Sequence, residues 1–190
     1  MNNIFLNNLS EHQQLFSKLE ALNSSVAAAI EACTKSLANG GKIMFCGNGG
    51  SAADSQHLAA EFTGRFIKDR RPLAAIALST DTSALTCISN DYSFNEVFSR
   101  QVLGLGGQND CLVGISTSGN SPNVIEAVKS AKLKGIFTIG LLGRDGGKLK
   151  ELCDLAIVVP SQTTARIQEA HILIGHSICG GVEIALGLVD

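Results

Sequence analysis

The segment Ser116-Thr117-Ser118-Gly119-Asn120-Ser121 sets four hydroxyls in six residues, straight after an apolar run and straight before Pro122. Ser121 has N-cap chemistry and Pro122 fits a first helical position, so a helix starts there. A helix N-terminus offers unpaired backbone N–H groups and a partial positive charge, and the hydroxyls add donors without adding charge. That combination suits a phosphate monoester; the plainer alternative is a capped turn with solvated hydroxyls. A second loop, Gly47-Asn48-Gly49-Gly50-Ser51, also joins an apolar run to a helical pattern. Gly47, Gly49 and Ala52 match the G-x-G-x-x-A dinucleotide pattern. The acidic residue due about twenty positions on is not where a ribose would need it. The charged stretch there, Lys68-Asp69-Arg70-Arg71, falls before the second apolar run, and no G-K-[ST] occurs. The loop therefore reads as hydrogen-bonding a sugar through Asn48, Gly49, Gly50 and Ser51.

The ionisable candidates come in two groups. His57 and Glu61 stand four residues apart on the helix after the glycine loop, on one face, and can chelate a metal or divide acid and base roles. Arg65, one turn on, can reach a phosphate or pair with a carboxylate. The last helix carries Gln168 and His176, eight residues or about 12 Å of rise apart. That is long for one ion on one straight helix, so if both serve one kind of site, a neighbouring subunit supplies one of them. Asn90-Asp91 can bind sugar hydroxyls or close a turn. His12 and His171 read as structural or surface residues, and Lys68–Arg71 as a solvated edge.

Five short apolar runs must position these groups: Ile43–Cys46, Leu73–Leu78, Cys111–Ile115, Ile136–Leu142 and Leu155–Val159. Several are apolar on both faces, as strands covered on two sides are. Helical patterns alternate with them at 52–66, 82–104, 121–134, a short turn at 147–153, and 166–187. The first forty residues read as two helices broken at Asn23-Ser24-Ser25, the second closed by Gly40-Gly41. The expectation is one α/β domain over 1–190: a three-layer α/β/α sandwich on a five-stranded parallel sheet, with N-terminal helices over 1–40 available for oligomer packing. Ligands of such sheets sit beyond the carboxyl ends of the strands. That rule gathers Gly47–Ser51, Ser79–Thr82, Ser116–Ser121 and Gly143–Gly147 into one crevice.

With 15 basic and 17 acidic residues, the chain has a formal charge of −2, which argues against a protein built to grip nucleic acid or an anionic membrane. Any phosphate is then held by a few aimed donors. The 6 cysteines are scattered without a C-x-x-C pair, fitting a reducing cytoplasm. The start MNNIFLNNLSEHQQ lacks a signal-peptide pattern, and no apolar stretch is long enough to span a bilayer.

Taken together, C-G-N-G-G-S at 46–51, H-x-x-x-E at 57–61, N-D at 90–91, S-T-S-G-N-S at 116–121 and R-I-Q-E…H at 166–176 resemble the phosphoheptose isomerases of the sugar isomerase (SIS) fold. The similarity spans nearly the whole chain, in order and at compatible spacing. It implies conversion of sedoheptulose 7-phosphate to D-glycero-D-manno-heptose 7-phosphate for surface-polysaccharide heptose, in a cytoplasmic homotetramer with active sites between subunits. It further implies that Asn48, Gly49, Gly50, Asn90, Asp91, Ser116, Thr117, Ser118 and Ser121 bind substrate, and that Glu61 and His176 act as acid/base groups. His57, Glu61, Gln168 and His176 would surround a zinc ion. Some relatives carry an acidic residue where this chain has Ala165. The rival reading is a non-catalytic branch of the same fold, a scaffold that binds the bacterial replication initiator. That branch lacks the glutamate and the last-helix histidine that stand here as Glu61 and His176. A sugar-phosphate-sensing regulator is disfavoured because no DNA-binding domain is attached.

Overall fold

The computed structural model describes residues 3–190; Met1 and Asn2, included in the N-terminal helical expectation, lie outside the described residues. Five parallel strands, β1 (Ile43–Gly47), β2 (Ala75–Ala77), β3 (Cys111–Ser116), β4 (Phe137–Gly143) and β5 (Leu155–Val159), form one sheet in the order β2-β1-β3-β4-β5. Alternation along the strands feeds two cores. Ile43 and Phe45 face one layer, built from α1 (Ile4–Phe16), α2 (Asn23–Ala38), α3 (Gly50–Thr63) and α8 (Thr164–Ala185). Met44 and Cys46 face the other, built from α4 (Thr82–Asp91), α5 (Ser99–Leu105), α6 (Pro122–Leu133) and α7 (Leu149–Leu152). The sandwich is α/β/α, as the doubly apolar strands require.

The chain leaves β1 through α3 toward β2 on one face, and leaves β3 through α6 toward β4 on the other. Adjacent strands β1 and β3 thus form the switch point at which α/β sheets bind ligands, and the glycine and serine loops are their two exits. Helices α3 and α8 lie on the same face, each following a parallel strand, so they run in the same direction. Their close approach depends on Gly175: a Cβ there would stand 2.6 Å from the methyls of Leu58.

Two boundaries differ from the sequence reading. The N-terminal break is a 3-10 turn at Leu19–Leu22; Asn23-Ser24-Ser25 begin α2 without any side-chain cap. The far end of α2 does close as expected, with Gly41 N–H on the Ser36 carbonyl and Gly40 N–H on that of Leu37. The expected helix 82–104 is two helices, because Tyr92 leaves helical geometry and Ser93 is extended. The turn brings Val97, Phe98 and Val102 into the core, where they are buried.

Candidate active site

The serine loop is stiffened from within and from beside. Ser116, buried, places its Oγ 2.9 Å from that of Ser121 and 3.5 Å from that of Ser118. Ser121 is the N-cap residue of α6 and Pro122 follows it, as expected. Its hydroxyl, however, is spent on Ser116 and caps nothing, so the first-turn N–H groups of α6 have no side-chain partner. The Ser118 hydroxyl accepts from Asn120 N–H at 3.1 Å, and the loop's hydroxyl bonds leave Thr117 unused among the described residues. Gly119, at φ +65°, passes so close to the next loop that a Cβ would stand 1.9 Å from the Gly146 carbonyl oxygen. Leu149 N–H donates to the Gly119 carbonyl and Lys148 N–H to Asn120 Oδ1, so the loop after β4 braces the loop after β3.

The glycine loop is fastened to the same cradle. Asn48 and Asn123 exchange two amide hydrogen bonds of 2.8 Å each, joining the exit of β1 to the first turn of α6. Gly49, the N-cap of α3, is exposed with Gly50, and Ser51 is buried against Gly47. The side chain of Gln168 reaches this point: a Cβ on Gly50 would lie 2.5 Å from its Nε2.

Further along the α3–α8 groove stand the ionisable groups. His57 Nε2 is 3.0 Å from Glu61 Oε1 and 3.4 Å from His176 Nε2. One ligand atom from each of the three lies within 4.8 Å of the others, all in a single protomer. One turn before His57, Asp54 turns a shielded Oδ2 toward no hydrogen-bond partner among the described residues. Burial raises its pKa, against the opposing pull of His57 and His176. Gln168 stands seven residues of α3 earlier, against Gly50, about 10 Å of helix rise from the level of His57. The spacing of Gln168 and His176 on α8 is thus matched by Gly50 and His57 on α3.

The chemistry of the three donors decides whether they suit a metal. A ring nitrogen carries at most one proton in the ring plane, so His57 Nε2 cannot donate to Glu61 and accept from His176 at once. Two imidazole nitrogens and a carboxylate oxygen at these separations instead fit a shared cation, and they are zinc-type donors.

Other candidate residues lie apart from this cluster. Arg65 is exposed just beyond the end of α3. Asn90 and Asp91 close on each other and on Cys87 at the exposed end of α4. The Asn90 and Cys87 hydrogen bonds hold the Asp91 carboxyl below its usual range. Neither Asn90 nor Asp91 bonds to another candidate residue within the chain. Arg166 and Glu169 of the R-I-Q-E motif serve another purpose. Buried Arg166 binds Glu169 and the Asn8 carbonyl, and Glu169 takes His12 Nδ1 at 2.8 Å, docking α1 onto the start of α8. Buried His171 meets the Leu142 carbonyl at 2.9 Å through Nε2, a structural role as expected. The solvated edge is a correction: within Lys68–Arg71 the Arg70 side chain is only 2% exposed and pairs with Glu183. A cavity of about 450 Å³ lies at the amino ends of β3 and β4 among Lys35, Asn39, Asn109 and Phe137 and holds no candidate residue.

Sequence reasoning missed Asp54, Asn123 and the Arg70–Glu183 pair. Glu183 gave a signal, as an isolated carboxylate in the apolar end of α8 that can be buried only if paired. Asn123 gave none.

A SIS domain family model matches residues 8–143. The chain is 59% identical over 176 residues to the phosphoheptose isomerase of a Nitratiruptor species, covering 92% of this chain and 94% of that one. The chain belongs to the phosphoheptose isomerase family. Another member, from Campylobacter jejuni, is 57% identical over 169 residues, 89% of this chain and 91% of its own. The solved phosphoheptose isomerase of Neisseria gonorrhoeae superposes with a TM-score of 0.90 at 49% identity, over 95% of this chain and 97% of that one. The family fold is therefore the α/β/α sandwich described above. Among the described residues no helix is long and apolar enough to cross a membrane.

Proposed function

We propose that the chain interconverts sedoheptulose 7-phosphate and D-glycero-D-manno-heptose 7-phosphate. The observation that carries this reading is the convergence of Glu61, His57 and His176 in a groove that begins at the phosphate-type cradle. The groove runs about 10 Å along α3 from Gly50 to His57, the scale of an extended seven-carbon phosphate. Thr117, Ser118 and the open first turn of α6 hold the phosphate, remote from the reacting carbons, and that binding energy fixes C1 and C2 for reaction. Asn48, Gly49, Gly50 and Ser51 line the entrance, with Gln168 beside them. Arg65, Asn90 and Asp91, which are exposed and bond to none of these groups within the chain, contribute where a second protomer brings them to the substrate.

Isomerisation moves a hydrogen between C1 and C2 through an enediolate. Glu61 takes the proton from one carbon and returns it to the other, while His176 moves the proton between the two oxygens, so the overall change is neutral. Zinc would be held by His57, Glu61 and His176 and would polarise the substrate oxygens, and Gln168, which lies at Gly50 within the chain, would join that set from a neighbouring protomer. Exposed Ile4, Phe5 and Leu6 on α1 and Leu173 on α8 support a tetramer whose subunits cover these apolar side chains. A cytoplasmic location fits phosphorylated substrate and free thiols at all 6 cysteines.

The scaffold reading has no support from the relatives, and the assembled acid/base pair opposes it. The test is Glu61→Gln assayed with sedoheptulose 7-phosphate. Turnover is expected to fall by at least about a hundredfold while substrate still raises the melting temperature. A kcat that survives within about threefold would make the base assignment wrong.

A further inference from the structure

A buried ion pair for which the isomerisation has no direct use ties the segment between α3 and β2 to α8. Arg70 and Glu183 side chains are 2% and 1% exposed, with Nε and Oε1 2.8 Å apart. The rest of the guanidinium is turned on the end of α3: Nη2 donates to the Glu61 carbonyl at 2.7 Å, and Nη1 to those of Phe62 and Gly64 at 2.8 Å. A cation there satisfies the orphan carbonyls of the final turn and complements its negative end. The Glu183 carboxylate also accepts the Phe66 and Ile67 N–H groups at 2.9 and 3.0 Å. One pair thereby fixes the turn that carries Glu61 and the backbone that carries Phe66.

Phe66 is what touches the site. Its ring lies nearly flat on His176, centroids 5.2 Å apart and planes 25° from parallel, while His57 meets His176 edge-on at 5.0 Å. His176 is thus held between an aromatic face and an edge, and Gly180 on α8 leaves room for the Phe66 ring at 3.3 Å from where its Cβ would be.

We propose that Phe66, anchored by the Arg70–Glu183 pair, is a positioning residue for the isomerisation: it sets the plane of the His176 ring while the same pair sets the register of Glu61. The inference rests on the reading that Glu61 and His176 carry the proton transfers. An acid/base pair must be held to a fraction of an ångström, and neither group is fully buried, while nothing else among the described residues stacks on His176.

The experiment compares Phe66→Leu, which removes the aromatic face, with Phe66→Tyr, which keeps it. In the full-length protein without added metal, the ring carbon-bound protons of His176, assigned through His176→Gln, are followed by NMR. They are expected to lie upfield from the Phe66 ring current, to move downfield in Phe66→Leu and to stay in Phe66→Tyr. With sedoheptulose 7-phosphate, Phe66→Leu is expected to lose at least about tenfold in kcat with KM within about twofold. Phe66→Tyr is expected to keep kcat within about twofold of the parent. An unshifted His176 signal, a loss confined to KM, or equal losses in the two variants overturns the proposal. Failure of the isomerase reading looks different: the parent itself would then not turn over sedoheptulose 7-phosphate, and failure of the base assignment would leave Glu61→Gln active, whereas an inert Glu61→Gln beside a fully active Phe66→Leu defeats the positioning role alone.

Discussion

Thr117 is the hydroxyl that the serine loop leaves free. Ser116 and Ser121 bond to each other and Ser118 is occupied by Asn120, so each has a part in shaping the loop that its loss would disturb. Thr117 is half-buried and has no such part. Thr117→Val keeps the branched shape and removes one donor, and a hydrogen bond to a charged group contributes about 1.5–3 kcal/mol. KM for the heptulose phosphate is therefore expected to rise at least about tenfold, with melting temperature and kcat little changed. An unchanged KM would move the phosphate off this loop. At this scale the sequence was informative where chemistry is local. Hydroxyl density, the Ser121-Pro122 helix start and the four-residue step from His57 to Glu61 are all visible in a string of letters. The Asn48–Asn123 exchange and the stacking of Phe66 on His176 are not, since each joins residues far apart in sequence whose types have commoner uses.

Elements matter to the site through the spacing of α3 and α8, which stand side by side although more than a hundred residues separate them in sequence. Gly175 sets that spacing. Ala at this position would drive a methyl against buried Leu58, and overpacking of this kind costs about 1–3 kcal/mol. Relief comes by moving the helices apart, which lengthens the 3.4 Å separation of His57 and His176. Gly175→Ala is expected to lower both the urea midpoint and kcat, while KM, set largely at the serine loop, changes little. Full kcat in a destabilised variant would show that the helix spacing is not what aligns the site. The strands were legible as apolar runs, yet the break within 82–104 was not. Its cause is the need of Val97 and Phe98 to turn into the core, a tertiary demand that overrides a continuous helical pattern. Arg70 was misread for a related reason: in sequence it belongs to a charge run, and only the fold brings Glu183 to it.

For the molecule as a whole, the groups that lose protons on folding point in one direction. Burial drives the His171 pKa down from 6.5 to about 4, only partly opposed by its hydrogen bond to Leu142. Glu183 is pushed up by burial, but the Ile67 and Phe66 amides and Arg70 outweigh that and hold it below the usual carboxylate range. Glu169 follows the same pattern, with Arg166 and His12 outweighing its burial. A depressed pKa in the folded state means that the unfolded chain binds the proton more tightly. The stability involved is complete above the unfolded value and drains away as pH falls through the folded one. His171 alone therefore weakens the fold progressively between pH 6.5 and about 4, by an amount of about 3 kcal/mol. The two paired carboxylates continue the loss at lower pH, where protonating Glu183 strands buried Arg70 without its counter-charge. Urea midpoints taken across this range are expected to fall in two stages. His171→Gln, whose amide can still donate to the Leu142 carbonyl, should flatten the first stage and leave the second in place. If the variant follows the parent through the upper stage, the acid sensitivity arises elsewhere and the imidazole is not the group that the core keeps neutral.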